Sequence, residues 1–243
     1  MHAFSDPTSP IYARVTGMFY LGIAIAGGFA IAYVPSQIVV PDDPAQTIAN
    51  ILNRSTLYQS GIAADVVVMI FEIMALTMLY FMFKPVSSTL SLAAGMARLS
   101  MVSVMSAMLF FHAGATLLAT SPDLMPSFNA SQRADLAGLF LEMHRAGVWI
   151  WQVFFTVHLV LLGALIVASN KAPRLIGIGL MLGASGYLLD SVYAFAFPDA
   201  ALLGALRVAL LVIVTLSELS FALWLVIKGQ STATPAQRMA FSH

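Results

Sequence analysis

Nine ionisable side chains lie inside or at the ends of long apolar stretches of this 243-residue sequence, and the chain could do chemistry with them. Residues seven or fourteen apart return to nearly the same face of a helix, as Asp65 and Glu72 do, and Arg98 and His112. Carboxylate, imidazole and guanidinium groups on such faces could bind a polar ligand, carry protons, hold a metal ion or pair with one another. The nine residues, called the polar belt below, are Asp65, Glu72, Arg98, His112, His144, His158, Asp190, Arg207 and Glu218.

The composition indicates which solvent surrounds the polar belt. Apolar residues make up 60% of the chain and charged residues 9%, whereas soluble domains average roughly 45–50% and about 25%. This is the composition of a membrane protein. A formal net charge of zero provides no basic surplus for nucleic acid, and the absence of cysteine excludes disulfides, iron–sulfur clusters and thiolate metal sites.

Six apolar runs are long enough to cross about 30 Å of hydrocarbon, for which about 20 helical residues are needed. They are residues 16–34, 61–83, 90–119, 146–169, 175–197 and 202–227. Their hydrophobicity is continuous rather than alternating, which favours helices over a barrel. The sequence therefore predicts an all-α polytopic transmembrane bundle, a single integral membrane domain over residues 1–243 with a flexible C-terminal tail at residues 229–243.

The connections predict the orientation of the bundle. Positively charged flanks favour the cytoplasm, so both termini are predicted to be cytoplasmic. Of the two longer outer loops, residues 35–60 contain Pro44 followed by Ile48 and Ile51, which predicts a short helix lying at the membrane interface. The basic residues on the cytoplasmic side are Arg14, Lys84, Lys171, Arg174, Lys228 and Arg238, against Arg54 and Arg133 on the other side.

The depth of each charge decides which side chains could meet. A charge at mid-bilayer costs about 2.5–3.5 kcal/mol, so the belt is expected to line a polar interior that opens outward. Counting about 1.5 Å per residue from each span's midpoint places Glu72 and His158 near the centre and leaves Arg98 alone toward the cytoplasm. Four carboxylates then face two arginines. Either two carboxyls are protonated, or His112 and His158 supply positive charge, or a cation does; His158 could balance Glu72 or Glu218.

A metal site requires belt residues from separate helices. His144 and His158 lie roughly 21 Å apart along one helix and cannot share an ion. His112 with His144 or Asp65 is the geometrically acceptable set, although the chain has no HExxH motif to support zinc. Haem would need facing histidines at equal depth, which nothing in the spacing predicts. The sequence thus requires no cofactor.

Structural pairing accounts for the same residues equally well. Gly179, Gly183 and Gly186 share a helical face with Asp190, and small residues at that spacing let another helix approach closely. Asp190 could then lie against Arg207 of a neighbouring helix. Ion pairs of this kind would make the polar belt a set of links between helices rather than a site.

Six stretches of the chain resemble the bacterial multi-pass family catalogued as domain of unknown function 4386, from about Arg14 to Gly229. The resemblance implies a bacterial inner-membrane location. It implies no chemistry, because the family has no assigned activity and offers no catalytic residues to carry over. Five belt residues fall within the six stretches, whereas His112 and His144 do not. The stretches are VPSQIVVPDDPAQTIANIL, LYQSGIAADVV, FMFKPVSSTLSLAAGMARL, VFFTVHLVLLGALIV, APRLIGIGLMLGASGYLLDS and SELSFALWLVIKG.

Three classes of function follow from the sequence. The leading hypothesis is a membrane protein that binds or transports a small molecule or lipid through an outward-facing polar cavity lined by the belt. The second is an intramembrane metal-dependent enzyme. The third is a non-catalytic accessory subunit that associates with a partner, or with itself, in the lipid bilayer.

Overall fold

The computed structural model describes residues 5–230 and confirms the all-α, six-span architecture. A π-helical turn, Gly28–Tyr33, joins α1 to α2 in one continuous segment, and a 3-10 turn, Pro122–Leu124, precedes α6. That first segment and each of α4 to α8 are long and apolar enough to cross a membrane. The helices are α1 Pro10–Gly27, α2 Val34–Ile38, α3 Pro44–Asn53, α4 Ser55–Phe83, α5 Ser88–Thr120, α6 Ala130–Ala168, α7 Arg174–Ala196 and α8 Ala201–Lys228.

Several helices begin earlier than the apolar runs do. Helix α4 begins at Ser55 rather than residue 61, and α6 begins at Ala130 rather than residue 146. Hydropathy detects only the part of a helix that suits hydrocarbon, whereas the backbone hydrogen-bond ladder continues into polar surroundings. The 39 residues of α6 are about 58 Å long at 1.5 Å per residue, well beyond the thickness of a bilayer.

Helix α3 occupies the first long loop. Pro44 takes its first position, where a missing backbone N–H costs nothing, and the Asp43 carboxylate accepts a hydrogen bond from the Gln46 N–H at 2.9 Å. The Asn50 side chain donates to the Ile38 carbonyl at 3.0 Å and holds α3 against the end of α2. The placement of this helix at a membrane surface stays a prediction.

The described chain divides into two compact units. Unit A contains residues 5–21, 71–101 and 152–230, and unit B contains residues 22–70 and 102–151. Helices α1, α4, α5 and α6 therefore each contribute residues to both units. The single domain over residues 1–243 stays a prediction, and most of the predicted tail, residues 231–243, lies outside the described residues.

Glycines bring α7 and α8 of unit A into backbone contact. A Cβ atom on Gly183 would lie 2.5 Å from the Val214 nitrogen, and one on Gly186 would lie 2.7 Å from the Leu211 nitrogen. Real Cβ atoms do not approach backbone atoms so closely, so only glycine fits at these positions. The packing interpretation of this glycine face is confirmed.

Gln230 joins three parts of unit A beyond the ends of the spans. Its amide N–H donates to the Pro7 carbonyl, and its Oε1 accepts from the Lys171 ammonium at 2.6 Å. The Trp224 indole N–H in turn donates to the Lys171 carbonyl at 3.2 Å. Partial burial lowers the pKa of Lys171 below its usual value, because the ammonium loses hydration.

The predicted orientation can be tested with single cysteines, since the native chain contains none. Cysteine at the exposed positions Asp123 or Asp199 should react with a membrane-impermeant maleimide in intact cells. Cysteine at the exposed Lys84 should react only after permeabilisation, because the basic flank faces the cytoplasm. The reverse labelling pattern would place both termini outside.

Candidate functional site

The polar belt falls into two groups, one in each compact unit. Unit B contains Asp65, His112 and His144. The nine belt residues therefore form two sets. The residues of unit A are Glu72, Arg98, His158, Asp190, Arg207 and Glu218.

Arg98 is the centre of the polar group in unit A. Its side chain is fully buried, and its Nε–H donates to the Glu72 carboxylate in a close ion pair. Its Nη1 donates to the Tyr20 hydroxyl at 2.9 Å, and the guanidinium lies 4.6 Å from the centre of the Tyr20 ring. The expectation that Arg98 would be alone was wrong. Helix α4 begins six residues earlier than expected, which moves Glu72 inward from the midpoint of its helix toward Arg98.

His158 contacts the same guanidinium group. Its Nε2 lies 3.0 Å from Arg98 Nη1, and its Nδ1 lies 2.9 Å from the Ala94 carbonyl oxygen. Arginine can only donate and a carbonyl can only accept, so Nε2 must be unprotonated and Nδ1 must carry the hydrogen. His158 is therefore a neutral acceptor. The expectation that His158 supplies positive charge to Glu72 or Glu218 was wrong.

The remaining charges of unit A also have partners. Arg207 pairs closely with Asp190, as the sequence suggested, and lies 4.0 Å from the centre of the Tyr193 ring. The half-buried Glu218 carboxylate accepts a hydrogen bond from the Tyr187 hydroxyl at 3.2 Å. These contacts link neighbouring helices through polar side chains.

Three tyrosines were missed in the sequence, although each contacts a belt residue. Tyr20 and Tyr187 contact Arg98 and Glu218 in unit A, and Tyr58 contacts His112 in unit B. A signal was present, because a phenol inside an apolar helix needs a hydrogen-bond partner. Their number and spacing did not indicate which helix would supply it.

Unit B brings Asp65, His112 and His144 together from three different helices. One ligand atom from each side chain lies within 4.8 Å of the other two. Asp65 is buried, at 8% exposure, and both histidines are half-buried. The imidazole ring centres are 3.8 Å apart, which is too close for a haem plane between them.

Close packing of α5 against α6 places the two histidines side by side. A Cβ on Gly114 would lie 2.9 Å from the Phe140 ring, and one on Gly147 would lie 2.7 Å from Met108 Sδ. These glycines lie within three residues of His112 and His144 in the sequence. Small residues at both contacts let the helices approach, so the imidazoles meet across the gap.

Hydrogen bonds fix the orientation of both imidazoles. His144 Nδ1 lies 3.1 Å from the Met108 carbonyl, which can only accept, so Nδ1 carries the hydrogen and Nε2 keeps its lone pair. His112 Nδ1 lies 2.8 Å from the Tyr58 hydroxyl, which also donates to the His112 carbonyl at 3.4 Å. The shorter contact holds the His112 ring against Tyr58 in either tautomer of the imidazole.

Asp65 borders two small cavities in unit B. One, called the His112 cavity, has a volume of about 30 Å³ and is also lined by Tyr58 and Leu141. The other, the His144 cavity, has a volume of about 20 Å³ and is also lined by Met69, Met108 and Trp151. A water molecule needs about 10–15 Å³ of such space. The π-helical turn Gly28–Tyr33 contributes a residue to the wall of each cavity.

Six apolar spanning helices with paired charges between them define a polytopic α-helical membrane protein. The chain belongs to the family described as Domain of unknown function (DUF4386), which matches residues 15–229. It is similar to an uncharacterized protein from Archaeoglobus fulgidus, with 23% identity over 178 residues that cover 73% of this chain and 87% of that protein. No solved structure matches the chain significantly. A bacterial inner-membrane location stays a prediction.

The ion pair of Arg98 with Glu72 should dominate the stability of unit A. Glu72→Gln should destabilise the protein by about 3–5 kcal/mol, because it leaves a buried guanidinium without its counter-charge. The double variant with Arg98→Gln should cost less than the sum of the single changes. Thermal unfolding in detergent measures both.

Arg145→Gln provides the matched control, because Arg145 pairs with Glu142 at the surface, where the two side chains are 65% and 57% exposed. This substitution should change stability little. Equal destabilisation by Arg145→Gln and Glu72→Gln would show that burial of the Arg98 pair contributes nothing.

Proposed function

We propose that this membrane protein binds a divalent transition-metal ion through Asp65, His112 and His144. One observation supports the proposal above all others. Among residues 5–230, no ion pair or hydrogen bond joins the buried Asp65 carboxylate to another residue, although two imidazoles lie beside it. Three groups that can ligate a metal ion thus meet at a place where the carboxylate has no counter-charge among the described residues.

Electrostatics makes this arrangement costly for the protein alone. A buried carboxylate without a donor or counter-charge loses its hydration and gains nothing in return. The other buried carboxylate at the centre of a belt group, Glu72, has Arg98 as its counter-ion. Asp65 has no such partner among the described residues, so a bound cation would supply the missing positive charge. A proton on Asp65 is the competing explanation.

The donor set suits a transition metal rather than a hard cation. Imidazole nitrogen binds Zn²⁺, Fe²⁺, Ni²⁺ and Cu²⁺, whereas Mg²⁺ and Ca²⁺ prefer oxygen ligands throughout. A metal ion with ligands at about 2.0–2.2 Å would draw the three atoms to roughly 3–4 Å from one another. They start within 4.8 Å, so small side-chain adjustments would complete the site.

The size of the cavities argues against a small organic molecule or a lipid as the ligand at these belt residues. The cavities that border Asp65 and His158 have volumes of about 10–30 Å³. Pockets for organic ligands measure about 300–1,000 Å³. Beside these belt residues, an ion with one or two water molecules is the ligand that fits.

Metal analysis tests the proposal directly. Protein purified without chelator and dialysed against Zn²⁺ should retain about one equivalent of metal. Asp65→Asn, His112→Gln and His144→Gln should each abolish retention, because zinc sites in proteins use at least the three protein ligands found here. Binding should also weaken at acid pH, since imidazole ligands must be unprotonated.

Glu218→Gln is the matched control, because it neutralises a carboxylate of unit A that lies outside the proposed site. It should retain the metal. Wild-type protein that folds but retains no Zn²⁺, Fe²⁺ or Ni²⁺ would show that Asp65 is protonated and that the cluster is structural.

A catalytic role for the metal is the second candidate. Three protein ligands with an open fourth position are typical of hydrolytic zinc sites, in which the ion lowers the pKa of bound water. The His112 and His144 cavities provide room for such a water molecule beside Asp65. A purely structural zinc site would have four protein ligands and no exchangeable position.

Cobalt substitution distinguishes a catalytic metal from a structural one. Co²⁺ in an open site should change its visible absorption when azide is added, because the anion replaces bound water. The Met69→Ala variant, which widens the His144 cavity, should preserve this response. A Co²⁺ spectrum that azide does not alter would indicate a closed site and exclude hydrolysis at the metal.

A further inference from the structure

An acidic depression opens at the surface of unit B, between the chain around α3 and the first turns of α6. Its volume is about 470 Å³. Four carboxylates line it, from Asp42, Asp43, Asp135 and Glu142, against one guanidinium, from Arg145. All five side chains are exposed. The surplus of negative charge makes the depression attractive to cations.

The acidic depression shares a wall with the His112 cavity. Val39 and Leu141 line both spaces. The Asp65 carboxylate, at 8% exposure and without an ion pair among residues 5–230, is another lining group of the His112 cavity. A buried carboxylate without a counter-ion among the described residues thus lines a cavity that shares two wall residues with a negatively charged surface.

We infer that the acidic depression is the route by which the metal ion reaches Asp65, His112 and His144. The inference rests on the proposed metal site and adds the path to it. A divalent cation is attracted by the surface carboxylates, of which Glu142 is already paired with Arg145. It then passes between Val39 and Leu141 and enters the His112 cavity. Both wall residues present aliphatic side chains, which can move aside without breaking a polar contact.

Electrostatic attraction determines how fast such a route is used. Clefts lined by charge of one sign raise the local concentration of an oppositely charged ligand and increase its association rate about 10- to 1,000-fold. Surface charges far from the ligand atoms act more on association than on the final bound state. Salt weakens the effect, because exposed charges are screened beyond about 10 Å at 0.1 M.

Two substitutions of the depression act in opposite directions. Asp42→Asn with Asp135→Asn should slow Co²⁺ loading of metal-free protein roughly three- to tenfold at low ionic strength. Arg145→Gln should accelerate loading, because it removes the positive charge. Asparagine tolerates the left-handed backbone at Asp42, where φ is 61°, and Asp43 is left unchanged because it caps α3.

The measurement follows Co²⁺ absorption after stopped-flow mixing with the whole protein in detergent, and equilibrium titration gives the affinity. The matched control is Asp123→Asn with Asp199→Asn, which removes two exposed carboxylates that do not line the depression. The control should load at the wild-type rate. High salt should bring all variants to a common, slower rate.

The outcomes separate this inference from the proposed function. Failure of wild-type protein to bind Co²⁺ at all would refute the metal site itself. Normal binding with identical loading rates in every variant would leave the metal site intact and refute the route. Equal slowing by the control would also refute it, because the effect would then come from total charge.

Discussion

A polar side chain surrounded by hydrocarbon must find its partner within the protein, and this constraint governs every belt residue. Water cannot complete its hydrogen bonds, so each donor needs an acceptor and each charge needs a counter-charge. Arg98 shows the constraint satisfied. Its fully buried guanidinium contacts a carboxylate, a phenol and a neutral imidazole, all within unit A.

The same constraint separates structural residues from candidate functional ones. Burial alone does not distinguish the two kinds of residue, since Glu72 and Asp65 are 3% and 8% exposed. The difference lies in their partners: Glu72 accepts from Arg98, whereas Asp65 lies beside two imidazoles and has no ion pair among the described residues. In the first arrangement each buried charge has its counter-charge, and removing either one would be costly. The arrangement around Asp65 reduces stability until a cation or a proton is bound, and functional sites often carry such a cost.

Much of the fold was predictable from hydropathy, because a span needs about 20 apolar residues whatever its neighbours are. The six spans and their order were of this kind. The first residues of the helices were not predictable in this way, because polar residues such as those from Ser55 onward can belong to a helix without giving an apolar signal. Depth estimates taken from apolar midpoints carried that error and separated Arg98 from Glu72.

The candidate site was only partly predictable. Spacing along one helix identifies residues that share a face, but His112, His144 and Asp65 come from three helices, and their meeting depends on how those helices pack. Gly114 and Gly147 allow the helices to approach, but glycine has no functional side chain, so the sequence did not indicate this contact. Tautomers were also beyond sequence reasoning, because they depend on neighbours such as the Met108 carbonyl.

Gln230 has a practical consequence for engineering the chain. Its side chain contacts Pro7 and Ser9, so the beginning and the end of the described chain lie next to each other. A short linker could join them, and new termini could be opened at the exposed Asp199 between α7 and α8. Such a circular permutant would begin with the last helix and leave the order of the other five unchanged.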